Sequence, residues 1–251
     1  MRRPFIAGNW KMNLNRAEAV ALAQELAQQA EKFPNVDLAV CPPFVYLEAV
    51  SQVVKGSKIG LGAQNLYFEK NGAFTGEISA AMLVDLGCQY VIVGHSERRH
   101  VMGETDQQIN QKVLCGLQAG LTVIFCVGEL LAERQAGKTK EVIKHQFEQG
   151  LANVKADQMA KVVIAYEPVW AIGTGQVATP QQAEEVHLDL RNFLEGRYNA
   201  EVAAKVCIQY GGSVKPDNAQ EIMAQPNVDG ALVGGASLKT ASFLGIAEKA
   251  G

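Results

Sequence analysis

Eight short runs of apolar, often β-branched residues recur along the chain with helix-length stretches between them, and none alternates apolar with polar residues. A strand that is apolar on both faces has to be covered on both faces, which is the pattern of a parallel sheet packed under helices. The runs span residues 5–9, 38–41, 59–63, 90–93, 122–127, 162–166, 206–209 and 231–233. Eight such units predict an α/β chain closed into a (β/α)8 barrel. An open, doubly wound sheet shares the alternation, but the Gly-x-Gly-x-x-Gly signal expected after its first strand is missing. No Pro- or Ser-rich linker, charge block or low-complexity tract divides the sequence, so one domain over residues 1–251 is expected.

The helical stretches carry their own punctuation. Thr105 with Gln108 reads as a capping box and Gly120 as the stop that follows it. Thr179, Pro180 and Gln182 combine a cap, a first-turn proline and a capping-box partner, so a helix is expected from about Pro180 and residues 168–178 are left as loop. Over residues 15–30, Val20, Ala23, Ala27 and Ala30 fall at helical spacing and predict an apolar stripe against the sheet.

With 48% hydrophobic and 20% charged residues, the composition is that of an ordinary globular chain, and no apolar run approaches bilayer length. No membrane insertion is expected. The segment from Met1 to Ile6 starts positively but has few apolar residues before Asn9 and Lys11, so no export signal is read there. A formal net charge of -3 argues against broad nucleic-acid binding and gives no global attraction to an anion. Any anion site has to be local. Cys41, Cys88, Cys115, Cys126 and Cys207 form no C-x-x-C pair, which excludes the usual zinc and redox patterns and fits core thiols in a reducing cytoplasm. Cys126 closes a strand beside the expected site.

In a parallel barrel the C-terminal strand ends share one rim, and polar residues gather there: Asn9 and Lys11, Gln64 and Asn65, residues 95–97, 126–129 and 210–213, Glu167, and Gly234-Gly235. Glu167 ends a buried strand because Pro168 blocks the ladder, and apolar neighbours with Trp170 are expected to raise its proton affinity toward that of a general base. Asn9 and Lys11 lie two apart and so can point the same way. His95 emerges at a turn whose N–H groups can face the imidazole, lower its pKa and keep it neutral. Gly211-Gly212-Ser213 and Gly234-Gly235 follow the last two strands, where paired N–H groups suit a phosphate. Taken alone, Glu167 is equally well read as a strand-capping acid, while such a lysine is more often solvated, such a histidine more often structural and such a glycine pair more often a tight turn.

Together, Gly8-Asn9-Trp10-Lys11-Met12-Asn13, Val93-Gly94-His95-Ser96-Glu97-Arg98-Arg99 and residues 166–175 closely resemble the triosephosphate isomerase family, and the likeness runs over essentially the whole chain. The resemblance implies a single-domain TIM barrel and the interconversion of dihydroxyacetone phosphate and D-glyceraldehyde 3-phosphate through an enediol(ate), a step in glycolysis and gluconeogenesis. It implies Glu167 as the base, neutral His95 and Lys11 as electrophiles, Asn9 as a further donor, and Glu97 orienting or pairing with Lys11. It implies no cofactor and no metal. The lid is expected at Pro168-Val169-Trp170-Ala171-Ile172-Gly173-Thr174-Gly175-Gln176-Val177-Ala178, with Ile172 excluding water. The N–H groups of Gly173, Ser213, Gly234 and Gly235 are expected on the phosphate. Gln64, Asn65 and Thr75 belong by resemblance to a third loop that reaches a partner subunit, which implies a homodimer. One departure stands at the end of the lid, where Gln176-Val177-Ala178 replaces the family's Lys-Thr-Ala or Lys-Ser-Ala and predicts altered lid kinetics. An aldolase-type barrel is the nearest rival, and it needs a Schiff-base lysine inside the barrel rather than at the rim.

Overall fold

The computed structural model describes residues 2–251; Met1, which heads the segment considered for export and the 1–251 span, lies outside them. In chain order the main elements are β1 (Phe5–Asn9), α1 (Arg16–Gln29), β2 (Asp37–Cys41), α2 (Leu47–Val54), β3 (Ile59–Ala63), α3 (Ala80–Asp85), β4 (Tyr90–Val93), α4 (Ser96–His100), α5 (Asp106–Gln118), β5 (Thr122–Val127), α6 (Leu131–Gln135), α7 (Thr139–Gly150), β6 (Val162–Tyr166), α8 (Pro180–Arg197), α9 (Ala200–Lys205), β7 (Cys207–Tyr210), α10 (Pro216–Met223), β8 (Gly230–Val233) and α11 (Thr240–Glu248). Every strand pairs in parallel with the next, and β8 pairs with β1, so the sheet closes as the alternation predicted. All eight C-terminal strand ends therefore face one way.

Apolar character on both strand faces has the expected cause. Inward, Phe5, Ala7, Ala39, Cys41, Ile92, Ile124, Cys126, Val163, Ala165 and Leu232 fill the barrel. Outward, residues such as Ile6, Val40, Val123 and Ile164 meet the helices. On α7, Gly150 lies so close to β5 that a Cβ would stand 2.3 Å from Phe125 Cζ, which fixes how near that helix can sit.

Three strands differ in their bounds from the apolar runs. Asp37 opens β2 because its N–H bonds Pro4 O, and Gly230 opens β8 with φ 141° against the backbone of Phe5. Strand β7 runs one residue later than expected, because Val206 still gives its N–H to Val202 O at the end of α9 while Tyr210 pairs with Tyr166. The stripe of α1 is also corrected. Its buried residues are Ala19, Leu22, Ala23 and Leu26, with Ala30 just beyond; Val20 and Ala27 sit at its margin because the leucines take the center of the contact. The capping boxes at Thr105–Gln108 and Thr179–Gln182 form as read. Among the described residues no helix is long and apolar enough to cross a membrane.

Candidate active site

A cavity of about 660 Å³ opens at the C-terminal rim, lined by Asn9, Lys11, His95, Glu167, Ile172, Gly173, Ser213, Gly234 and Gly235, residues drawn from five strand ends and the lid. Lys11 enters it from a left-handed backbone, φ 51°, a conformation that costs a non-glycine residue roughly 1–3 kcal/mol. Two amides hold it there. The Lys11 N–H donates to Asn9 Oδ1 at 3.0 Å, and Gln64 Nε2 donates to Lys11 O and to Cys41 O, both at 2.8 Å. The ammonium reaches Glu97 Oε1 at 2.7 Å, so Glu97 pairs with Lys11.

His95 occupies the N-cap of α4, and its Nδ1 accepts the backbone N–H of Glu97 at 3.2 Å. An accepting Nδ1 places the ring proton on Nε2, which lies 2.9 Å from Glu167 Oε1. Glu167 is buried and its carboxylate is further held by the Ser96 N–H at 2.9 Å and Ser96 Oγ at 3.3 Å.

These contacts correct two expectations. Burial pushes the Glu167 carboxyl up, but His95, the Ser96 N–H and Lys11 outweigh it and hold the group below the usual glutamate range. Burial pulls the His95 imidazole down, yet the charge and hydrogen bond of Glu167, aided by Glu97, leave it above the ordinary histidine value. Counting apolar neighbours in sequence misses both partners. A third correction concerns Trp170, whose indole N–H goes to Glu129 Oε1 at 2.9 Å, with the Arg134 guanidinium 4.9 Å over the ring. It braces the first turn of the lid. Glycines press on Glu167 instead, since a Cβ on Gly128 would meet Glu167 O at 1.8 Å and one on Gly211 would meet its Cγ at 2.8 Å. The Cys126 thiol beside the carboxylate is pushed far up by burial and that negative charge, so it stays protonated.

The loop expected to act as a lid begins with a turn over Val169–Ala171, is tied back by Thr174 Oγ1 to Trp170 O at 2.7 Å, and bends at Gly173 and Gly175, with φ of 68° and 81°. Ser213 N–H donates to Ala171 O at 3.1 Å, so in this arrangement a lid carbonyl takes the donor expected for phosphate. The two glycine pairs differ. A Cβ on Gly212 would strike Tyr210 Oη at 2.2 Å, a packing demand, whereas Gly235 has no atom within 4 Å of that position and leaves room for a ligand.

Gln64 and Asn65 make contacts within the chain: Gln64 as above, and Asn65 Oδ1 accepting from the Lys112 ammonium at 2.9 Å beside Glu104. Thr75 is exposed. Sequence reasoning gave no role to Ser96, although it follows His95 directly, nor to Glu129. Glu129 is wholly buried, and its Oε1 gathers Tyr166 Oη at 3.1 Å, Trp170 Nε1 at 2.9 Å and Arg134 Nη1 at 3.0 Å. A buried acid at a strand end had no sequence signal beyond its place at the rim.

The family model described as Triosephosphate isomerase matches residues 4–250. Among curated relatives carrying that name, the protein of Carboxydothermus hydrogenoformans is 56% identical over 248 residues, covering 99% of each chain. That of Chloroflexus aurantiacus is 54% identical over 246 residues, covering 98% of each. That of Hydrogenovibrio crunogenus is 52% identical over 252 residues, covering 100% of this chain and 99% of its own.

Proposed function

Since the chain belongs to the triosephosphate isomerase family, we propose that it interconverts dihydroxyacetone phosphate and D-glyceraldehyde 3-phosphate with Glu167 as the base. The observation that carries this is the 2.9 Å contact of Glu167 with His95 in one cavity with Lys11 and the Gly234-Gly235 pair. Glu167 takes a proton from the hydroxyl-bearing carbon beside the carbonyl and returns it to the former carbonyl carbon, while the hydroxyl proton passes to the former carbonyl oxygen by way of the His95 Nε2–H, with the enediol(ate) between. The oxyanion of that intermediate is met by the His95 Nε2–H, the Lys11 ammonium and the Asn9 amide. Moving a proton between adjacent carbons requires no cofactor.

Glu167 has to leave His95 and Ser96 to reach the substrate, and this departure reverses both shifts. The carboxylate loses the donors that hold it down while its burial remains, so its basicity rises. The imidazole loses the larger of the two charges that raise it, keeping only that of Glu97 against its burial, while the Glu97 N–H still occupies Nδ1, so it acts as the neutral donor. On the phosphate we place the N–H groups of Gly173, Gly234 and Gly235, joined by Ser213 once the lid shifts from Ala171 O. Ile172 then shields the enediolate from water.

The whole chain acts as one catalytic unit, and we place it in the cytoplasm as a homodimer. Five free thiols support a reducing compartment. Exposed Met12, Val45, Val101 and Met102 support a partner on the side of the rim formed by β1 to β4. The test of the base is a coupled isomerisation assay on wild type and Glu167→Gln, with an expected fall of roughly 10²–10⁴-fold and an unchanged fold. Equal rates remove Glu167 from the role.

A further inference from the structure

Behind the strand end that supports Glu167, α7 presents a buried amide whose two ends are both engaged. Gln146 Oε1 accepts the Gly128 N–H at 2.8 Å, and Gln146 Nε2 donates to Gly128 O at 2.9 Å. A side chain rarely imitates a neighbouring strand in this way. The bonds grip the two successive peptide planes that flank Gly128, and the first plane also carries Val127 O, the acceptor of the Glu167 N–H at 2.8 Å. The C=O and N–H of a trans peptide point in opposite directions. One plane therefore has the Gln146 carboxamide on one edge and the Glu167 backbone on the other, in a continuous chain of hydrogen bonds that polarise one another.

We infer that Gln146 is a positioning residue for the catalytic base, setting the Val127–Gly128 peptide plane from which Glu167 hangs. This rests on the reading of Glu167 as the base. Contact on the far side makes the coupling tight: Gly128 lies so close to Glu167 that no Cβ fits between them, so a tilt of this plane moves Glu167 O directly. The clamp also has a fixed foundation, because Gly150, one turn further along α7, packs on Phe125 of β5 without slack. Gln146 is buried and touches neither the cavity nor a reacting atom, so it acts through Gly128 alone. A misplacement of the order of 1 Å in a reacting group can cost roughly 100-fold in rate.

The test compares Gln146→Met, Gln146→Glu and Ile143→Val, a control in the same helix that also thins buried contacts. Gln146→Met fills similar space without either hydrogen bond, and the expected result is a kcat reduced at least tenfold with KM within twofold of wild type. Ile143→Val lowers Tm but keeps kcat. Gln146→Glu keeps the acceptor but sets a carboxylate oxygen against Gly128 O, which only its protonated form can satisfy. The nearest charged pair on that strand end, Glu129 with Arg134 at 3.0 Å, is common to both proteins and cancels in a ratio. The ratio of its kcat to that of wild type should therefore rise as pH falls, and this arm decides the matter if Gln146→Met does not fold. A kcat in Gln146→Met that follows Tm along the same line as Ile143→Val, or a Gln146→Glu ratio independent of pH, overturns the inference. Glu167→Gln, assayed in parallel, separates the failures: full activity there overturns the base itself, whereas its collapse alongside unaffected Gln146 variants overturns only the clamp.

Discussion

Glu167 and His95 satisfy each other when no substrate separates them, and the pair sets its own pH window. The Glu167 pKa is lowered in the folded state, so its share of stability is present above the unfolded carboxyl value and is lost as pH falls through the folded one. The His95 pKa is raised, so its share is full below the unfolded imidazole value and is lost as pH rises through the folded one. The contact is strongest between those two limits. Replacing Glu167 by Gln removes the larger charge that raises His95 and leaves burial, the largest cause, with Lys11 and the Glu97 N–H favouring the neutral ring against the Glu97 carboxylate alone. The His95 imidazole should then titrate below the ordinary histidine value, having titrated above it in wild type, as read by ¹⁵N NMR of the ring. A histidine that titrates at the same pH in both proteins contradicts this account. The residue types at the site were legible in the sequence because strand ends followed by Gly, Pro or a cap expose them. Their protonation was not, since the Ser96 N–H and the His95–Glu167 contact join residues 71 and 72 positions apart.

At the scale of elements, the strand interiors were legible because burial on both faces leaves a run of apolar residues, whereas the ends were set by backbone partners. Asp37 and Gly230 belong to strands through Pro4 O and the Phe5 backbone, which no local pattern records. The segment proposed as the lid was legible as a loop between Pro168 and the Thr179 cap, but its anchor lay in another element. Trp170 Nε1 is held by Glu129, beside Val169 N–H to Glu129 O at 3.1 Å. Trp170→Phe removes that indole bond to the ion-paired Glu129 carboxylate, a loss of about 1.5–3 kcal/mol, and reduces the ring under the Arg134 guanidinium. Amide exchange over residues 171–176 is expected to quicken, with kcat lowered a few-fold and the Glu167–His95 contact retained. Unchanged exchange would deny the anchor its role. The far hinge is lightly held: the Gln176 N–H bonds Thr174 Oγ1 at 3.2 Å, and Val177 is exposed. Gln176→Lys with Val177→Thr is therefore expected to change the lid opening rate seen by relaxation dispersion while isomerisation stays within a few-fold. Opening at the wild-type rate would show that this departure has no kinetic weight.

The closed barrel decides where the whole molecule can meet a partner. Met12 follows β1, Val45 follows β2, Phe74 and Thr75 follow β3, and Val101 and Met102 follow β4, so consecutive strands bring these side chains to one side of the rim. Met12 is 95% exposed, Val45 79% and Val101 73%, an exposed apolar set that supports the proposed homodimer. The barrel was legible in one chain because its pairing is internal. The reach of Gln64 and Asn65 was not, since these residues serve Lys11 and Lys112 within the chain and leave Thr75 exposed at the tip. Covering that side would also screen the Lys11–Glu97 pair, half-exposed at its carboxylate, and so steady the ammonium proposed to meet the oxyanion. Val45→Asp with Met102→Asp puts two charges into the contact and is expected to shift the protein toward monomer at micromolar concentration in sedimentation velocity. Specific activity should drop at least tenfold and recover in part as concentration is raised, because every barrel keeps its own Glu167, His95 and Lys11. A wild-type protein that sediments as a 27.0 kDa monomer at full activity over the whole range would remove the partner from the mechanism.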